Sequence, residues 1–455
     1  MPNLLALAIV ALWPIIAWRI SKKVSLTSAA ILLFLVPYLL LPMRVEFDFP
    51  LIPPLNKTTI PALIAFIIFY FKDKGFKFLP REELSRRLVI LTFIFPVFTV
   101  LANGDRLVYG PTVLQGLTLM DIVNMTFSVS TSFYIPLIVG INYLRTEESH
   151  RLILKYFVVA ALVYALPVLW EIRMSPQLHT QLYGFFPHNF GQQVRQGGFR
   201  AVVFLGHGLL VSMMLAVAVI SAASFKAEQG QTTFKKITVI LLFLLALLVL
   251  NKSVGPLMYG LVAVVLILFL KLKTRFNIAL GLAALVFVFP VLRGNGFVPV
   301  NEMTNFVKGY SEERAQSIEF RFHHEDLLLE KANKRKLFGW GSWGRNRIYD
   351  PYTGQDLSVT DGYWIIIFGN FGWLGYLAVF GLLFYPLVAY YREVRSSKDK
   401  SYSVPTVSIC IILALTMVDT IPNASISQLT FLLAGALIGR AEHLKRKRLT
   451  PIHDT

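Results

Sequence analysis

Thirteen apolar runs constrain this chain more than anything else in it, because most approach the ~20 residues an α-helix needs to cross a bilayer. They lie roughly at Asn3 to Trp18, Leu26 to Met43, Thr59 to Phe71, Leu88 to Ala102, Leu119 to Leu144, Ile153 to Trp170, Val202 to Ala223, Ile237 to Leu250, Val254 to Leu270, Phe276 to Leu292, Tyr363 to Tyr390, Val404 to Ile421 and Ser425 to Ile438. Hydrocarbon offers no partner to a backbone amide, so such runs fold as helices and gather into one bundle. The expectation is an all-α polytopic membrane protein of about 13 spans, a single transmembrane domain over residues 1–455. A 55% hydrophobic content and a mean hydropathy of +0.60 put the chain well outside the soluble range. Met1 to Ile20 lacks a basic leader and carries Arg19, Lys22 and Lys23 on its far side, so it reads as the first span and not a signal peptide. The eleventh run is long and contains Gly369, Gly372 and Gly375, which predicts a tilt, a kink or a break.

Charge decides which loops face which side. If Lys22 and Lys23 are cytoplasmic, alternation puts 72–87, 145–155, 226–236, 271–275, 392–400 and the basic tail 440–455 on the same side. With Arg19, these segments hold 27 of the 44 lysines and arginines, as the positive-inside rule requires. The N-terminus is then periplasmic, the C-terminus cytoplasmic, and the loops 171–200 and 293–361 face outward. A formal charge of +18 suits nucleic acid only as a patch on a folded surface. These charges are scattered through short loops, which points to membrane lipids or substrate phosphates as partners and to no nucleic acid.

The loop 293–361 is the only long polar stretch, with ten carboxylates from Glu302 to Asp361, the pair His323 and His324, and Arg321, Arg345 and Arg347. Ser317 can cap a helix reaching Asn333, with Ile318, Phe322 and Leu329 as its apolar stripe and Arg321 and His324 beside that stripe. Arg321 then either points toward the surface the stripe packs on or pairs with Glu325 at i, i+4. Gly339-Trp340-Gly341-Ser342-Trp343-Gly344 matches G-x-G-x-x-G literally, but no strand precedes it, so it reads as a tight aromatic turn and not a dinucleotide loop. Asp361 either caps the eleventh span or serves as a carboxylate base at the membrane surface.

In the loop 171–200, Arg200 sits where a guanidinium must snorkel or meet an anion, and its planar fork matches phosphate oxygens. Arg195 is a solvated loop charge or a weaker anion contact, and His207 reads as a packing residue inside the next span. No H-E-x-x-H, Walker loop, G-x-S-x-G or paired-cysteine site occurs, and the single Cys410 lies in an apolar run. No metal site and no cofactor is implied.

Taken in order, Arg195 to Gly208 (RQGGFRAVVFLGHG), Asn251-Lys252-Ser253, Ser317 to Arg321 (SIEFR), Leu337 to Gly341 (LFGWG) and Asp361-Gly362-Tyr363 with the glycines after it resemble the O-antigen ligase and O-antigen polymerase (Wzy-type) superfamily of bacterial membrane glycosyltransferases. The resemblance implies a GT-C-like enzyme of the bacterial inner membrane. Its donor would be an undecaprenyl-diphosphate-linked glycan, used without a metal ion, and a chain-length regulator would be a partner. Arg200 and Arg321, with Arg195 as a further candidate, would match the family's diphosphate-holding arginines and converge on one cavity. Ligases resembling this chain carry a histidine where it has Asp361, which favours a polymerase of O-antigen or exopolysaccharide, with ligation to lipid A core as the alternative.

Elementary chemistry is compatible with that reading. A departing diphosphate carries negative charge that arginines can stabilise in place of a divalent metal. The attacking sugar hydroxyl needs a base near its proton, and Asp361 or His324 can supply one. Trp340, Trp343 and Phe186 can stack on sugar faces or sit in the interfacial belt. A polysaccharide flippase would share the hydropathy but should show inverted repeats and charges near the bilayer midplane. A peptidoglycan polymerase of the shape-and-division type is the nearer rival.

Overall fold

Each of the thirteen apolar runs falls on a helix in the computed structural model, which describes residues 1–50, 52–228, 234–397 and 402–449. Among the described residues, seven helices are long and apolar enough to cross a membrane: Leu4–Lys23, Glu83–Leu101, Leu119–Tyr143, Glu147–Met174, Gly208–Glu228, Leu272–Gly294 and Tyr363–Ser396. Leu26–Leu40, Thr59–Lys72, Val254–Phe269 and Val404–Asp419 are apolar but shorter, and Phe234–Leu250 and Gln428–Leu449 carry the remaining two runs. The described residues are mostly helical, with three two-stranded antiparallel hairpins at 46–56, 107–114 and 194–199. The protein is therefore an all-α membrane protein in its architecture.

The bundle closes tightly where small residues let backbones meet. A Cβ on Gly435 would lie 2.0 Å from the Leu137 carbonyl oxygen, so helix Gln428–Leu449 runs hard against Ile135–Tyr143. That helix continues through the first ten residues of the expected basic tail, while 450–455 lie outside the described residues, as do 229–233 and 398–400 of the expected inner loops.

Three boundaries differ from the sequence reading. The span expected from Val202 begins at Gly208, because the Glu171 carboxylate accepts the amides of Val202 and Val203, each at 2.7 Å, and holds that stretch out of the helix. The loop helix begins at Glu312 instead of at Ser317. The helix Tyr363–Ser396 takes Gly362 as its N-cap residue, so Asp361 is not its cap.

The expected interruption of the eleventh run is a break at Gly372, whose φ of 61° and ψ of −160° are open to glycine alone. Two helical bonds are lost there, those from the amides of Trp373 and Leu374 to the carbonyls of Gly369 and Asn370. The segment Lys336 to Gly341 restores all four groups: Trp373 and Leu374 donate to the Lys336 and Leu337 carbonyls, while Trp340 and Gly341 donate to those of Gly369 and Asn370. Gly339 belongs to the same fit, since a Cβ on it would lie 2.3 Å from the Asn370 carbonyl. The glycine-aromatic run is thus a backbone plug for a broken helix.

Candidate functional site

The loop helix Glu312–Lys334 is pinned by buried polar contacts at its middle. Arg293, at the end of Leu272–Gly294, donates through Nε to Glu325 at 2.8 Å and pairs through Nη2 with Asp326 at 2.6 Å. Trp364 donates its indole N–H to the other Glu325 oxygen at 3.1 Å. Burial pushes the Glu325 carboxyl up, and Arg293 opposes the shift. With Glu325 held this way the expected Arg321 to Glu325 pair does not form. Arg321 turns instead to Asp361, Nε to Oδ2 at 3.4 Å.

That geometry opens a cavity of about 310 Å³ between the loop helix, the short helix Val300–Lys308 and the helices Val254–Phe269, Tyr363–Ser396 and Val404–Asp419. Its walls are apolar, with Ile318, Phe322, Leu328, Ile365, Val418 and Ile421, and its polar groups are Arg321, His324, Glu325, Asp361 and Tyr259. Arg321 and Asp361 are 46% and 43% exposed, so their pair stands at the mouth. The His324 ring meets Phe320 edge-on at 4.2 Å, and its Nδ1 is buried with no partner among the described residues. Beside Tyr259 lies the buried Asp419, which accepts from Asn423 at 2.9 Å and from Ser425. Such a site can hold a group with an apolar body and an anionic head, and it sets a carboxylate and an imidazole beside that head.

A second cluster forms on the short loop. The hairpin 194–199 turns through Gln196 and Gly197, both with positive φ, the geometry of a tight two-residue turn. It leads to Arg200, which is only 7% exposed. Arg200 Nη2 donates to the Gln192 carbonyl at 3.0 Å and to Gln193 Oε1 at 3.4 Å, but its Nε has no partner and no carboxylate pairs with it among the described residues. His207 Nε2 lies 3.4 Å from the guanidinium, and the His188 ring stands 4.8 Å from that of His207. Lys252 donates to the carbonyls of Arg195 and Gln196. Burial, then the Arg195 charge, lowers Arg200 to about 10, so it remains charged at neutral pH. Burial and Arg200 together lower His207 to about 4, which keeps it neutral. A buried cation without a counter-ion is costly unless an anion comes to it.

Arg321, His324 and Asp361 are therefore brought together, whereas neither Arg195 nor Arg200 lines their cavity. The expectation of one shared cavity gives way to two clusters joined by helix Val254–Phe269: Lys252 just precedes it, and Tyr259 lies seven residues on, about 10 Å along the axis. The three aromatic candidates do not line the cavity either. Trp340 is committed to the loop interior, donating to the Lys331 carbonyl at 2.7 Å beneath Arg335 at 4.3 Å from its ring. Trp343 is 67% exposed and tethered to Asp121 through its indole N–H at 2.9 Å. Phe186 packs edge-on against Phe190 at 5.4 Å.

Tyr259 and Gln193 were not singled out from the sequence. Tyr259 is a lone hydroxyl in an apolar run, and Gln193 one of several loop amides. The polar string Asp419, Thr420, Asn423 and Ser425 closing the twelfth run was the available signal for that corner of the site. No protein-family model matches the chain, and none of the curated proteins compared is significantly similar to it.

Proposed function

We propose that the protein is a GT-C-like glycosyltransferase of the bacterial inner membrane with about 13 spans, and that it joins undecaprenyl-diphosphate-linked repeat units into polymer at the outer face. One observation carries this reading: Arg321, His324 and Asp361, the phosphate-holding and proton-accepting candidates, line one apolar cavity, with the Arg321–Asp361 pair at its mouth. A polyprenyl chain suits the walls and a diphosphate suits the arginine. Asp361, released from Arg321 when a phosphate takes that guanidinium, is free to accept the proton of the attacking hydroxyl. The break at Gly372 does not favour a transporter, because its freed backbone groups are taken by residues 336–341 and not offered to an ion.

The decisive experiment follows the lipid-linked intermediates in cells carrying Asp361→Asn. The variant should accumulate at wild-type level and leave single lipid-linked units unjoined, with transfer down on the order of 10²–10⁴-fold. Normal polymer would remove Asp361 as base and put His324 in its place. Intact lipid-linked polymer in a strain lacking the protein, merely not attached to lipid A, would replace the polymerase with the ligase. Orientation is tested by Tyr352→Cys in a Cys410→Ser background, since Tyr352 is 87% exposed. Labelling of intact spheroplasts by an impermeant thiol reagent is expected, and labelling only after lysis would reverse the topology.

A further inference from the structure

The far end of the bundle carries a second built site. Helix Gln428–Leu449 starts near the cavity end, where Gln428 donates to the Thr58 and Thr131 carbonyls, and Arg446 lies eighteen residues on, about 27 Å away. There, between that helix, the end of Ile135–Tyr143 and the segment 77–81, a notch is lined by Lys77, Arg81, Arg145, His443 and Arg446 with a single acid, Glu442. Glu442 is already engaged: one of its oxygens accepts the Arg81 amide at 2.6 Å and the Glu82 amide at 3.0 Å. Lys77, Arg81 and Arg145 form no ion pair among the described residues, in contrast to the neighbouring Arg440, which reaches Glu147 at 3.6 Å. The side chains are not splayed apart by their repulsion, because Asn142 fixes the Lys77 backbone through its amide and carbonyl, and Gly439 lets Arg145 approach to 3.1 Å of where a Cβ would stand.

We infer that this notch binds the phosphate of an anionic phospholipid headgroup at the face opposite the cavity. The space enclosed is only about 20 Å³, room for one oxygen-sized group. The occupant therefore lodges a phosphate oxygen and leaves the rest of its molecule outside, as a lipid anchored in the adjoining leaflet does. Burial and the charges of Arg81, Arg145 and Arg446 lower Lys77, and a bound phosphate would relieve that crowding. Basic pockets between helices are where headgroup phosphates dock, with each cation near an anionic surface contributing about fivefold in affinity.

The test is native mass spectrometry of the full chain, purified in mild detergent and supplied with phosphatidylglycerol, phosphatidylcholine or inorganic phosphate. Retention of phosphatidylglycerol but not phosphatidylcholine is expected. It should fall about thirtyfold in Lys77→Gln/Arg145→Gln, two charges removed at about fivefold each, and not in the control Lys235→Gln/Lys236→Gln on another basic segment. Equal retention in the double variant, or equal loss in the control, overturns the proposal. Displacement of the lipid by millimolar inorganic phosphate assigns the site to free phosphate and overturns the lipid assignment. Should the double variant not fold, the exposed Arg81→Gln is read the same way, with about a fivefold loss expected.

Discussion

Arg345 in the long loop is completely buried, yet it donates to the carbonyls of Trp340, Asp105 and Gln115 and pairs with the Asp105 carboxylate at 3.2 Å. Arg293, also buried, has two carboxylates and a π-face at 5.4 Å. Arg200 on the short loop is buried nearly as deeply and has one carbonyl, one amide oxygen and an empty Nε. Burying a guanidinium is unfavourable by several kcal/mol in each case, and only Arg345 and Arg293 meet fixed negative charge that offsets the cost. Of these three, the neutralised arginines hold the fold together, whereas Arg200 is left without a carboxylate among the described residues.

Three single substitutions and one compensating double change can break or sharpen that contrast. The largest effect is expected from Arg293→Ala, which strands Glu325 as an unpaired buried carboxylate and should cost about 3–5 kcal/mol of stability in detergent. The paired change Arg293→Met/Glu325→Leu should recover most of it, and failure to do so would mean the charges matter individually. Arg200→Met should do the reverse, holding or raising the melting temperature while transfer falls on the order of 10²-fold, as for loss of one transition-state donor. If Arg200→Met melts as early as Arg293→Ala, the contrast fails and Arg200 is structural. The smallest effect belongs to Trp343→Ala, which removes an exposed ring and should move stability by no more than about 0.5 kcal/mol. A loss of transfer with that stability unchanged would make the ring a sugar contact.

What was readable in the sequence was mostly local. Apolar period and glycine content located the helices and the break at Gly372, because both follow from neighbours in the chain. Arg321, His324 and Asp361 were legible because a helix face and a span boundary set their position without knowledge of the partner elements. What failed was decided by residues far apart. The start of the helix on the seventh apolar run, Gly208–Glu228, moved because Glu171, about thirty residues upstream, takes the Val202 and Val203 amides. The Arg321 to Glu325 pair lost to Arg293 and Trp364, each more than thirty residues away. No periodicity could show that Arg200 and Arg321 belong to separate clusters, since that depends on how Val254–Phe269 lies between them.

The plug at Gly372 has a consequence for how the chain is made. Residues 336–341 leave the ribosome some thirty positions ahead of the helix that needs them, and in its broken form that helix cannot satisfy its backbone alone. Until Trp373 and Leu374 find the Lys336 and Leu337 carbonyls, the half-formed helix holds two bare amides in or near hydrocarbon, each a liability of several kcal/mol. Insertion of Tyr363–Ser396 and closure of the long loop must then occur as one event, and a nascent chain stopped before Ser396 should leave that loop open to protease.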